Sequence, residues 1–168
     1  MQKKQKYSEK EYAKTFDEYS DAIFRHCFFR VSHKEVARDI TQDAFVKVWQ
    51  YLVLGGEILN MKAFLYKTAN NLIIDYYRKK KSESLDNLFE DGFDPIGDTA
   101  EQITSRAEVN QALVTLEKLH PDDRDILVMR YVDDLSIEEI ADALDQTQNA
   151  VSVKIHRALE KAKKIFRP

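Results

Sequence analysis

The chain has 168 residues, 43% apolar and 33% charged, enough apolar side chain to build cores and too much for an unfolded polar tract. Its net charge of −3 argues against wholesale attraction to nucleic acid, but the charges are segregated along the chain, so local fields matter more than the total. A single cysteine, Cys27, excludes an internal disulfide and a thiolate metal cluster, and His26, His33, His120 and His156 lack the paired spacing of a zinc site, so no metal and no cofactor is expected.

The first residues, Met1 to Lys10, are polar and basic without the apolar segment of a signal peptide. No later run is long enough to span a bilayer, so the expectation is a reducing, cytoplasmic home without membrane insertion. Tyr12, Phe16, Tyr19, Ile23 and Cys27 then recur on one side of a helix predicted from about Glu9 to about Val31, with Ser8 as its cap. His26 lies in an aromatic run, where a packed histidine is expected. A second helix follows from Ile40, Ala44, Phe45, Val48 and Leu52, with Asp39, Gln42, Asp43, Lys47 and Trp49 on its outer side. Trp49 at the rim of a polar face is either partly buried in its own domain or an anchor for a protein partner.

Leu54-Gly55-Gly56-Glu57 breaks the helical period, because paired glycines are costly in a helix, and a loop is predicted to about Asn60. From Lys62 the period resumes with Leu65, Ala69, Leu72, Ile73 and Tyr76 and ends in Tyr77-Arg78-Lys79-Lys80-Lys81. Cations at that end complement the helix dipole, and aromatic residues interleaved with basic ones are also what single-stranded nucleic acid uses. Both readings stand on the residues alone.

Between Ser82 and Glu101 seven acids, including Glu83, Asp86, Glu90, Asp94 and Asp98, are unopposed by Lys or Arg, and Gly92, Pro95 and Gly97 break any period. Such a stretch cannot bury enough apolar area to fold alone and reads as a linker with Leu85, Leu88, Phe89 and Phe93 as docking points. A helix is expected from Ile103 to Leu119 on Val109, Leu113, Leu116 and Leu119, then another from Pro121 with Ile126, Leu127 and Tyr131.

The last stretch reads as a helix-turn-helix. Ser136 and Glu139 form a capping box before a helix with Ile137, Ile140, Ala141 and Leu144 on one face. After Asp145-Gln146, Thr147 caps a second helix whose apolar stripe is Val151, Ile155, Ala158, Leu159, Ala162 and Phe166. Its other side carries Gln148, Asn149, Ser152, Val153, Lys154, His156, Arg157, Lys161 and Lys164. Amides pair with adenine edges, Arg with guanine or phosphate, and a small apolar group with a thymine methyl, so this face suits a DNA groove. From Val151 onward the only acid is Glu160, which gives the helix a local positive field.

Three blocks in order resemble the sigma-70 family of bacterial RNA polymerase sigma factors, of the extracytoplasmic-function (ECF) type. Asp39 to Trp49 is similar to its polymerase-docking helix, Ala63 to Arg78 to its promoter-opening helix, and Glu139-Ile140-Ala141, Leu144, Val151 and His156-Arg157-Ala158 to its upstream-element reader. The resemblance implies an all-α protein: two small helical domains joined by an acidic flexible linker, with residues 1–81 as polymerase-docking and promoter-melting domain, 82–104 as linker and 105–168 as helix-turn-helix domain. It implies a non-enzymatic role with core RNA polymerase and promoter DNA as partners and an anti-sigma factor as a candidate partner. The implied minus-thirty-five set is Gln148, Asn149, Ser152, Val153, His156, Arg157 and Lys161; the minus-ten set is Gly55, Gly56, Asn60, Asn71, Asp75, Arg78 and Lys79; the polymerase set is Asp39, Gln42, Asp43, Phe45 and Trp49. Asp145 stands at the turn where the family usually has Gly, Gln146 where it has an apolar residue and Ser152 where it has a basic one, so the family's base-reading pattern does not transfer directly. The rival reading is a self-sufficient regulator whose dimer binds a palindrome. A helical hydrolase finds carboxylates in Asp39, Asp43, Glu138 and Glu139 but no His/carboxylate spacing or phosphate loop.

Overall fold

In the computed structural model, which describes residues 7–83, 111 and 114–166, the regular structure is helical, with no strand among the described residues. Helix α1 spans Glu9–Val31 and opens on a reciprocal box, in which the Glu11 N–H donates to Ser8 Oγ at 3.2 Å and the Ser8 N–H to Glu11 Oε2 at 2.8 Å. It ends where Ser32 turns left-handed at φ 52°, ψ 25°. Helix α2, Lys34–Val53, therefore starts almost at once, and His33 caps it by accepting from the Val36 N–H. Helix α3 runs from Met61 to Glu83.

In the C-terminal half, Pro121 sits in the first turn of helix α4, Pro121–Leu127, where its missing N–H costs nothing. The chain then widens into a π-helical turn, Val128–Val132, before helix α5, Ile137–Leu144, and helix α6, Gln148–Phe166. The π turn corrects one expectation. It shifts the register by a fraction of a turn, so Met129 and Leu135 are buried while Tyr131, expected on the apolar stripe, is 59% exposed. Phe166 is also exposed, and Ile165 packs in its place at the end of the α6 stripe.

Ile23, Cys27, Phe45, Val48, Leu65, Tyr66 and Ile73 fill the centre of α1 to α3, and Met129, Leu135, Ile140, Val151, Ile155 and Ala158 that of the C-terminal half. Among the described residues these form one continuous cluster, because α3 packs on α5 and α1 reaches α4 and the π turn. Residues 84–104 of the expected linker, with Ile103, Val109 and Leu113 of the next predicted helix and Arg167 of the basic end, lie outside the described residues. No helix among the described residues is long and apolar enough to cross a membrane.

Candidate nucleic-acid and polymerase interfaces

The exposed face of α6 is set by the turn that precedes it. Ser136 Oγ accepts from the Glu139 N–H at 3.1 Å and Glu139 Oε2 from the Ser136 N–H at 2.9 Å, which fixes the start of α5. Asp145 takes the left-handed conformation, φ 52°, ψ 45°, which Asp tolerates better than most side chains. The Gln146 N–H then reaches back to the Ala141 carbonyl at 2.9 Å, and Thr147 Oγ1 caps α6 through the Ala150 N–H at 3.1 Å. With Val151, Ile155 and Ala158 buried beneath, Gln148, Asn149, Ser152, Val153, His156, Arg157 and Lys161 all lie exposed. Lys161 is held to one side, its Nζ 2.7 Å from Asp123 Oδ2, and Lys154 hydrogen-bonds Gln146 Oε1 at 2.8 Å.

The second group lies on the loop after α2 and along α3. Gly55 has φ 88°, a conformation that favours glycine. Gly56 serves a different need: a Cβ there would stand 2.3 Å from Tyr51 Cε1, and the Tyr51 ring is backed by Phe64 at 5.0 Å between centroids. Asn60 caps α3 by accepting from the Ala63 N–H at 3.0 Å, so its side chain already has a structural task. Asn71, Asp75, Arg78 and Lys79 are exposed on α3, with Arg78 3.9 Å from Asp75. Lys80 lies 6.0 Å from the Tyr76 ring centre, a cation over an aromatic face at the basic end. The sequence marked the Leu54 to Asn60 loop as a whole but gave no separate role to Leu54 and Leu59, which project from it at 87% and 102% exposure; apolar side chains flanking the paired glycines and the cap were the available signal.

The third group borders an open groove of about 510 Å³ between α1 and α2. Tyr12, Phe16, Gln42, Phe45, Val46 and Trp49 line it, and Asp39 and Asp43 stand exposed elsewhere on the same helix. Trp49 is half-buried against Tyr12, with ring centres 5.0 Å apart, as the home-packed reading expects, and it also lines the groove. Phe45, expected in the polymerase set, is at the floor of the groove, 4% exposed between Tyr12 and Phe16, where its side chain supports that surface. The Tyr12 hydroxyl donates to the Phe45 carbonyl at 2.6 Å, and burial pushes its pKa up to about 12. Sequence reasoning also missed Arg30, Asp125 and Asp133, which join the two halves, and His26 is packed as expected, edge-on to Tyr66, but against Asp133 as well. Arg30 falls one helical repeat beyond Ile23 and Cys27 on the buried stripe, which was the only signal for it.

Residues 15–83 match the family described as sigma-70 region 2, and residues 110–161 the family described as sigma-70, region 4. The chain is similar to the RNA polymerase sigma factor YlaC of Bacillus subtilis, at 30% identity over 89% of this chain and 88% of that protein. It is also similar to the ECF RNA polymerase sigma factor SigW of the same organism, at 29% identity over 93% and 89% of the two chains. In fold it resembles the sigma factor RpoE solved with the anti-sigma factor NepR from Bartonella quintana, with a TM-score of 0.79 at 18% identity over 94% of this chain and 98% of that one. CnrH, solved with the cytosolic domain of CnrY, gives a TM-score of 0.73 at 20% identity, over 96% and 91%.

Proposed function

We propose how promoter-directed work is divided along the chain, from the premise that it belongs to the sigma-70 family of RNA polymerase sigma factors, in its extracytoplasmic-function group. As a member it directs RNA polymerase to promoters. Helix α6 lies in the major groove of the upstream, minus-thirty-five box, with Gln148, Asn149, Ser152 and Val153 on base edges and His156, Arg157 and Lys161 towards phosphate. The single observation that best supports this is the joint exposure of those residues on a helix whose other side is buried behind a helix-turn-helix turn.

The loop from Gly55 to Asn60 and the outer side of α3, with Asn71, Asp75, Arg78 and Lys79, hold the opened minus-ten strand. Melting costs stacking energy, and aromatic and basic groups beside a loop lower that cost by retaining the separated bases. The set of Asp39, Gln42, Asp43 and Trp49 docks core polymerase: acids give steering while the aromatic groove gives apolar contact. Residues 1–81 form the docking and melting domain, 82–104 the linker and 105–168 the upstream reader. The role is one of binding, with bond-making left to the polymerase, and it is exercised in the cytoplasm. An anti-sigma factor is a further partner of this chain, on the pattern of the complex that RpoE forms with NepR. The test is transcription from a promoter library by purified core polymerase with and without the protein. Initiation at promoters with two dissimilar boxes only when it is present is expected; sequence-specific binding to a palindrome without polymerase would replace this reading with an autonomous regulator.

A further inference from the structure

The flank of α6 beside the proposed base readers carries a stripe of cations. Lys154, Arg157, Lys161 and Lys164 recur at spacings of three and four residues, so they follow one line along the helix, and all four are exposed. Cations in a row next to a groove-reading face meet the phosphates of one strand, which fix register without reading sequence. Two of the four are tethered within the protein, and the tethers differ in charge. Lys161 Nζ lies 2.7 Å from Asp123 Oδ2, so a carboxylate already holds it and competes with any phosphate. Lys154 Nζ donates instead to the neutral amide oxygen of Gln146 at 2.8 Å, which leaves its charge whole. An ammonium has three N–H groups, so a phosphate can be bonded while the amide bond is kept.

Gln146 is suited to this task by where the turn puts it. The left-handed Asp145 and the bond from the Gln146 N–H to the Ala141 carbonyl fix its backbone, and Thr147 caps α6 immediately after it. Its amide oxygen therefore starts from a fixed point and holds the first cation of the stripe, eight positions on. A free lysine has several rotatable bonds, and ordering them on a phosphate opposes binding; a lysine already held by an amide has lost that freedom beforehand. The pin departs from the family pattern, which has an apolar residue at the position of Gln146, and an apolar side chain cannot accept from an ammonium. A purely local duty is the competing account, because Lys154 also borders a cleft lined by Asp122, Asp125 and Asp145. Among the described residues, however, no ion pair joins Lys154 to those acids, and its bond is to the amide.

We propose that Gln146 is a positioning residue for promoter binding: its amide holds Lys154, with the charge intact, where the ammonium takes a phosphate of the upstream box. The proposal rests on the promoter-directing reading above and adds to it two residues outside the reading set. The experiment is a titration of core polymerase carrying the full chain on promoter duplexes with the preferred and with altered upstream boxes, repeated over a series of salt concentrations. Lys154→Ala should make the plot of log affinity against log salt shallower by about 1 and weaken binding equally at every upstream box. Gln146→Leu, which takes the family's apolar character and so keeps the turn, should leave that slope unchanged and weaken binding about threefold to tenfold at every box, because the charge stays and only its placement is lost. In the Lys154→Ala background, Gln146→Leu should have no further effect. Gln146→Glu sets a carboxylate against Lys154, as Asp123 is set against Lys161, and should give the shallower slope with the lysine still present. An unchanged slope in either Lys154→Ala or Gln146→Glu overturns the phosphate contact, so if one of these variants does not fold the other decides. Equal losses from Gln146→Leu with and without Lys154 overturn the positioning role, and Gln146→Met takes its place should the leucine variant not fold. If the unaltered protein with polymerase prefers no upstream box, the promoter-directing reading fails and this proposal with it; a preference kept by the unaltered protein beside either overturning result removes this proposal alone.

Discussion

Helices α6 and α3 carry the two sets of residues proposed for nucleic acid, yet they meet the rest of the molecule in opposite ways. On α6 the division is clean: Val151, Ile155 and Ala158 are buried, and the outer residues have few structural obligations. On α3 the duties overlap, since Asn70 is buried in the seam between the halves, Lys67 holds Asp145, and Asn60 caps the first turn while also belonging to the minus-ten set. The difference teaches that a base-reading face is separable from the fold only where the helix is packed on one side. On α6, substitutions should change preference and spare stability; on α3 and its loop they should change both.

The largest effect is expected where both helices depend on a shared support. Ile140 of α5 is fully buried in the core against which α3 and α6 pack. Ile140→Ala should cost about 2–5 kcal/mol by loss of packing and the cavity left behind, read as a lower denaturant midpoint. Next is Gly56→Ala. Its new methyl must displace a Tyr51 ring held by Phe64, so about 1–3 kcal/mol of stability should be lost together with promoter opening. Loss of one without the other would separate duties that the loop is argued to combine.

Asn149→Ala should leave the melting temperature unchanged and weaken binding at promoters with the preferred upstream base by about 1–3 kcal/mol, measured by competition between upstream boxes. Lys161→Ala should have a smaller effect, equal at all promoters and visible as a salt slope reduced by about 1, because a phosphate contact carries no sequence information. The last effect is nil at neutral pH and confined to alkaline pH. Burial pushes the Cys27 thiol from an ordinary 9.0 up to about 12, so the folded chain keeps a proton that the unfolded chain releases. Stability should therefore be unaffected by this group below pH 9 and fall as pH rises from about 9 to about 12, less steeply in Cys27→Ala.

What could be read from the sequence follows the same division. Ser8 with Glu11, Ser136 with Glu139 and the left-handed Asp145 are local features, each decided within a few residues, and periodicity alone separated the outer face of α6 from its core. Tyr131 and Phe166 were misjudged because a π turn and a helix end change the register that periodicity assumes constant. Phe45 was grouped with an exposed surface although its spacing put it on the inner stripe. Arg30 and Asp133 were illegible for a deeper reason: a charged residue is buried only if a partner arrives from far along the chain, and Asp133 is 107 positions from His26.

The most direct measurement of the two-reader account is a selection, by purified core polymerase, from promoters in which the upstream and downstream boxes vary independently, run with the unaltered protein, with Asn149→Ala and with Asn71→Ala. The account predicts that Asn149→Ala alters the preferred upstream box alone and Asn71→Ala the downstream box alone. If both substitutions move the same box, or if the selected sequences form a palindrome, α6 and α3 do not divide the promoter between them.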